Sequence, residues 1–207
     1  IEGRARDPIV DLRLLGQRTV AAGLATAFLA GMSFLGAIVF LPLFMANVAG
    51  ASATSAGLTT LPLTLGLVAG NVTSGQLASR TGRTKPLLVA SIAIAFLALL
   101  LLAASLDTTT TVVGVSWRMF LVGVGLGPCL PLIPLTVQNA VSPQVIGAVT
   151  SLTTFFRQMG STMGLAVLGT VFAASLSSPS KEGFVQATSY TLFAAAGLQL
   201  LALLASF

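Results

Sequence analysis

The chain has no histidine, one cysteine, one tryptophan, one tyrosine and only five acidic residues in 207. With Cys129 alone and no imidazole, neither an intrachain disulfide nor a metal cluster of the usual Cys/His kind can be assembled. Charged residues make up 7% of the chain, where a soluble domain carries roughly a quarter. Glu2, Asp7, Asp11, Asp107 and Glu182 all fall in stretches that read as linker or loop, so no carboxylate, histidine or lysine stands deep within an apolar run. That shortage argues against an intramembrane enzyme. Gly160-Ser161 resembles the setting of a serine nucleophile, but no base lies at its depth to activate it. A channel is disfavoured too, because a filter sequence or a deep series of charges is missing. The formal charge of +5 is carried mostly by short loops and does not point to nucleic acid.

What the chain has in abundance is apolar length. Hydrophobic residues make up 55% of it, and no charge lies between Arg18 and Arg80 or between Arg118 and Arg157. A helical span needs about 20 apolar residues, so the first interval holds two helices joined by a short uncharged loop. The alternation of a transmembrane barrel is missing. The expected fold is therefore an all-α membrane protein, a six-transmembrane-helix bundle over residues 19–207 behind a juxtamembrane linker over residues 1–18. The six spans are placed at Thr19–Ala46, Ser55–Ala78, Pro86–Ser105, Trp117–Val141, Pro143–Leu176 and Val185–Phe207.

Individual spans carry further signals. In the first, Thr26, Ser33, Phe40 and Asn47 recur every seven residues and form either a cavity wall or a packing face. The second has Pro62 in its first turns, the close-approach pair Gly66 and Gly70, and Asn71 deeper. The third is almost pure Ala, Leu and Ile and is expected to face lipid. In the fourth, Gly123, Gly125 and Gly127 precede Pro128, Pro131 and Pro134. Prolines at that spacing remove successive backbone bonds, so the helix is expected to bend or break, as cavity-lining helices do. Its Gly-x-Gly-x-Gly run follows no strand and is not read as a nucleotide loop. Gln138 and Asn139 lie near its end, and Gln199 is the one strongly polar deep residue of the sixth span.

The fifth span holds the feature around which the others are arranged. Arg157 stands near the middle of Ser151–Gly169, and arginine at the centre of a membrane helix costs about 2.5–3.5 kcal/mol on insertion scales. Such a side chain faces a bundle interior or a wet cavity. Thr150, Thr154, Arg157, Ser161 and Gly164 step along one helical stripe, and Gly160 with Gly164 allows a neighbouring helix to come close. The stripe is consistent with a substrate cavity and also with a structural pin between two helices.

With a cytoplasmic start, the inner loops hold Arg4, Arg6, Arg13, Arg18, Arg80, Arg83 and Lys85, against Arg118 and Lys181 outside. That bias places both termini in the cytoplasm. The chain begins at Ile1 and stops at Phe207 within an apolar run; Ile1-Glu2-Gly3-Arg4 matches a protease-cleavage linker, although native sequence fits equally. A piece of a longer chain is expected.

The run Gly75-Gln76-Leu77-Ala78-Ser79-Arg80-Thr81-Gly82-Arg83-Thr84-Lys85 resembles the loop motif of the major facilitator superfamily, with Ser79 where that motif has an acid. Leu41-Pro42-Leu43-Phe44-Met45, Ser52–Leu58, Leu61-Pro62-Leu63, Gly123–Gly127 and Phe156-Arg157-Gln158-Met159-Gly160 resemble its fourteen-helix drug:proton antiporter branch. The resemblance implies the C-terminal half of a proton-coupled multidrug exporter of a bacterial cytoplasmic (inner) membrane, built as two three-helix inverted repeats. Small amphipathic or cationic drugs would be the substrates and membrane lipid the surroundings. A missing N-terminal bundle of six to eight helices would hold the proton-carrying acids. Candidate substrate-binding residues are Arg157, Gln158, Gln138, Asn139, Ser33 and Phe40; Gly75, Arg80, Gly82 and Arg83 belong to the gating loop. No catalytic residue, metal or cofactor is expected. Two alternatives stand beside this reading: the same fold exporting a lipid, siderophore or metabolite, or a self-assembling six-helix protein or channel.

Overall fold

The computed structural model describes residues 16–48, 60–107, 112–176, 178 and 180–206. It is built of helices: α1 Arg18–Val48, α2 Leu61–Thr81, α3 Thr84–Ala104, α4 Val112–Leu126, α5 Cys129–Gln138, a 3-10 turn at Pro143–Val145, α6 Ile146–Ser175 and α7 Lys181–Ala205. The predicted fourth span corresponds to α4 and α5 together, so the helices map onto the six expected spans. Four of them (α1, α3, the joined Gly114–Gln138 stretch and α7) are long and apolar enough to cross a membrane. The other two, α2 and α6, are diluted by Thr, Ser, Asn, Gln and, in α6, Arg157.

The six spans form two layers. In front stand α6, α1, the α4–α5 pair and α2, in that order; behind them α7 and α3 pack on each other. Exchanging the first three spans for the last three reproduces this pattern. As α1 packs on α6 and α7, so α4 packs on α2 and α3. This is the contact pattern expected of inverted repeats, and the two polar spans, α2 and α6, occupy matching positions in it.

Glycine makes both front seams. A side-chain carbon at Gly160 would collide with the Phe28 carbonyl, one at Gly164 with the Met32 backbone, and one at Gly31 with the Arg157 carbonyl. Ser161 Oγ donates to the Gly31 carbonyl across the same seam at 3.2 Å. In the other repeat, Gly66 sits on the Phe120 carbonyl and Gly123 on that of Leu63. Lipid tails are as apolar as leucine, so helices in a membrane associate through close packing and hydrogen bonds instead of hydrophobic drive. Small residues at these positions supply both.

The predicted break in the fourth span is present at Gly127–Pro128. Pro128 has no N–H to offer, and the ladder resumes with Leu130 N donating to Gly127 O at 3.1 Å and Leu132 N to Pro128 O at 3.0 Å. Pro131 falls in the first turn of α5, where backbone donors lack partners in any case; Pro134 lies inside the helix.

Several boundaries differ from expectation. The loop expected at Leu106–Ser116 becomes helical from Val112, with Val115 fully buried, so burial overrides the β-branched composition. The sixth span starts at Lys181, not Val185: Ser180 caps it by accepting from Gly183 N at 3.2 Å, with Glu182 in the first turn. The second runs on to Thr81 and stops because Gly82 takes the left-handed conformation, φ 65°, and donates its N–H to Ala78 O at 2.9 Å. Its expected start, residues 55–59, lies outside the described residues, as do most of the linker and the remainder of the first loop.

The core has an apolar part and a polar pin. Leu41, Phe44, Leu99, Leu102, Met119 and Leu126 fill the centre between the layers. Between α1 and α7, Ser33 Oγ donates to Gln199 Oε1 at 2.6 Å, and both residues are fully buried. The amide nitrogen of Gln199 finds no partner among the described residues.

Two outcomes follow for stability, both readable by denaturant unfolding in detergent. Gly160→Leu should destabilise the bundle by about 3 kcal/mol, whereas Gly197→Ala, with open space at that carbon, should be neutral or slightly stabilising. Ser33→Ala should cost about 1–2 kcal/mol by orphaning Gln199, and the double variant S33A/Q199L should cost measurably less than the sum of its parts.

Candidate substrate pathway

The site is built on α6. Its buried stripe, Val149, Thr153, Gly160, Ser161, Gly164 and Leu168, lies on the α1 side, while Ser151, Thr154, Phe155, Gln158, Met159, Thr162 and Met163 are exposed. Arg157 belongs to the packed side yet is only half-buried. It lines a crevice where α1 meets the α4–α5 break, together with Ala30, Gly31, Phe34, Leu126, Cys129, Leu130 and Ile133. The free volume left there is about 10 Å³, close to what one water molecule requires. No carboxylate lines the crevice, and Arg157 makes no ion pair or side-chain hydrogen bond among the described residues. Arg157 is thus a half-buried cation with no counter-charge among the described residues.

The predicted stripe therefore divides. Ser161 and Gly164 are consumed by the seam with α1. Thr150 accepts a hydrogen bond from Gln138 Nε2 at 2.8 Å, tying the end of α5 to the start of α6. Thr154 points away, exposed.

The other candidate residues scatter. Gln158 lies with Phe155, Met159, Thr162 and Met163 on an open, mostly apolar hollow of α6, about 340 Å³. Asn139 is exposed at the end of α5, where its N–H caps the helix on Leu135 O. Ser33 and Phe40 are inside the bundle, on no open wall. Ser33 is bound to Gln199, and the Phe40 ring stacks on Phe172 at 5.1 Å, with Phe184 beyond it at 6.1 Å. The sevenfold repeat of α1 is thus a packing face up to Phe40, and only Asn47 is exposed. In the loop motif, Gly75, Arg80 and Arg83 are exposed and Gly82 makes the turn.

Some wall residues were not singled out in the sequence. Phe34, Leu130 and Ile133 surround Arg157 but look like any aliphatic or aromatic residue of a span. Asn71 carried more signal, being polar at depth. Its Oδ1 is buried without a partner among the described residues, beside an open hollow shared with Leu130 and Pro131.

The sequence matches the family model described as Major Facilitator Superfamily over residues 2–165. It is 38% identical over 172 residues to an uncharacterized MFS-type transporter of Mycobacterium tuberculosis, covering 83% of this chain and 25% of that protein. It is 32% identical over 174 residues to a multidrug transporter protein of Bacillus subtilis, covering 84% of this chain and 32% of the relative. It is equally identical, over 84% of its length, to a tetracycline resistance determinant of Streptomyces rimosus, of which it covers 50%. The chain thus spans between a quarter and a half of the length of these relatives. With the family model matched over most of the chain and two polar and four apolar spans in two matching triplets, this protein belongs to the major facilitator superfamily.

Proposed function

We propose that this chain is the C-terminal bundle of a proton-coupled multidrug exporter, and that its front layer lines one side of a substrate cavity completed by a second bundle. The observation that carries this reading is Arg157. It stands near mid-helix, half-buried, with no counter-charge among the described residues, beside a proline-broken segment. A bundle meant to be complete would leave that charge unmatched at a cost; a bundle facing a shared hollow would not. The names of the relatives, a multidrug transporter and a tetracycline resistance determinant among them, support drug-like cargo.

In this reading Arg157 attracts electron-rich groups of substrate or of the opposing bundle. Gln158, Gln138 and Asn139 add hydrogen-bonding capacity, and Phe155, Met159 and Met163 give an adaptable apolar surface for cargo of varied shape. The break between α4 and α5 gives the front layer a point at which it can bend. The coupling proton rides on acids outside this bundle, since guanidinium does not release its proton and Asp107 and Glu182 sit at the ends of helices. The end carrying Arg18, Arg80, Arg83 and Lys85 faces the cytoplasm.

Arg157→Ala in the full-length transporter should reduce drug efflux at least about tenfold at unchanged membrane abundance, with Arg157→Lys recovering part of it. Efflux measured as dye or antibiotic extrusion and left unaltered by Arg157→Ala would retire the assignment. Loss of extrusion for lipid or metabolite cargo alone would change the substrate class and keep the site.

A further inference from the structure

At the end of the bundle opposite Asp107 and Glu182 lies another hollow, of about 210 Å³, between α1, α3, α5 and α7. It shares Ile133 with the Arg157 crevice, and the transport reading makes no use of it. Two cations, Arg18 and Lys85, stand on its lining, and no acidic residue does among the described residues. Four hydroxyl residues join them: Thr19, Thr26, Thr136 and Ser206. Thr26 and Ser206 already donate to the carbonyls of Ala22 and Leu203, at 2.8 and 2.6 Å. Thr136 is different, because its Oγ1 is buried and has no partner among the described residues.

The backbone is balanced here. Arg18 begins α1 and Lys85 is the second residue of α3, while Thr136 lies in the last turn of α5 and Ser206 just past α7. Two positive and two negative helix ends offset one another, so the charge of the site comes from its side chains. A buried hydroxyl with a proton to give and two side-chain cations ask for one kind of guest. The volume is too small for a drug-sized molecule, for which about 300 Å³ is the lower bound.

We infer that this hollow is a binding site for a phosphate group, set between the helix ends at the basic face of the bundle. Arg18 and Lys85 supply the counter-charge and Thr136 a directed hydrogen bond. Basic pockets between membrane helices on the positively charged side take up anionic lipid headgroups by the same chemistry. A phosphodiester lipid headgroup and free inorganic phosphate share that recognition, and the experiment separates them.

The full chain in detergent is exposed to equimolar phosphatidylglycerol and phosphatidylcholine, and the retained lipid is counted by native mass spectrometry. In parallel, the chain in phosphatidylcholine nanodiscs is titrated with inorganic phosphate by calorimetry. Preferential retention of phosphatidylglycerol identifies a lipid headgroup site, and saturable phosphate binding without that preference identifies a free anion site. In either case R18Q/K85Q should weaken binding at least about tenfold, since each cation near an anionic headgroup contributes roughly fivefold. Thr136→Val should weaken it about threefold or more. The equally charged control R80Q/R83Q, at the same end but outside the hollow, should stay within about twofold. Equal losses in the two charge-pair variants, or neither ligand binding, would overturn the site. Should R18Q/K85Q fail to fold, Thr136→Val decides alone, and unchanged binding in it overturns the assignment.

Discussion

The structure depends on two places where backbones meet without side chains between them: Gly31, Gly160 and Gly164 between α1 and α6, and Gly66 and Gly123 between α2 and α4. In a membrane there is little to gain from hiding apolar surface from an apolar solvent, so specificity comes from contact distance and from polar groups that reach across. Both seams use contact distance, and the first adds the Ser161–Gly31 hydrogen bond. Together they pair the front helices, α1 with α6 and α2 with α4, and the contact of α1 with α5 joins the two pairs. The rear helices α3 and α7 follow, because their small and aliphatic residues fill the remaining core.

Arg157 owes its position to the first seam. Its carbonyl lies under Gly31, so its backbone is held against α1 and the residue lines the crevice beside the α4–α5 break. A helix interrupted by Pro128 cannot close that crevice as a continuous helix would. The break and the cation are thus one arrangement: an interrupted wall with a half-buried charge set in it. The two polar spans α2 and α6 are mates under exchange of the repeats, which concentrates the hydrogen-bonding residues of both halves in the front layer.

Most of the fold was legible in the sequence. Uncharged runs of helical length, glycines four apart and a proline series report directly on the membrane, the seams and the break, since each is a local property. The end of the second span and the start of the sixth were misjudged by a few residues, although Gly82 and the Ser180 cap with Glu182 were legible signals for both. Membership of the superfamily was legible because the loop motif and the ordered short motifs lie along the chain. The site was less accessible. Ser33 and Phe40 share a face with Thr26, but periodicity cannot tell a face that meets α7 and α6 from one that meets open space. The partner of Ser33 is Gln199, 166 residues away, and nothing in the local pattern of either names the other. The place of Arg157 beside a crevice was legible because a lone charge in an apolar run violates a strong rule, whereas Phe34 and Ile133 obey every rule and are silent.

The turn between α2 and α3 has a mechanical meaning. Only Gly82 and Arg83 separate two helices of 21 residues each, and those helices share little surface along their lengths. Each is a rod about 30 Å long, joined to the other at a stiff elbow. A tilt of about five degrees at that elbow displaces the distant tip of α2 by nearly a tenth of its length. A connection of two residues thus gives leverage, by which a small adjustment at the basic face would become ångström-scale travel at the opposite one.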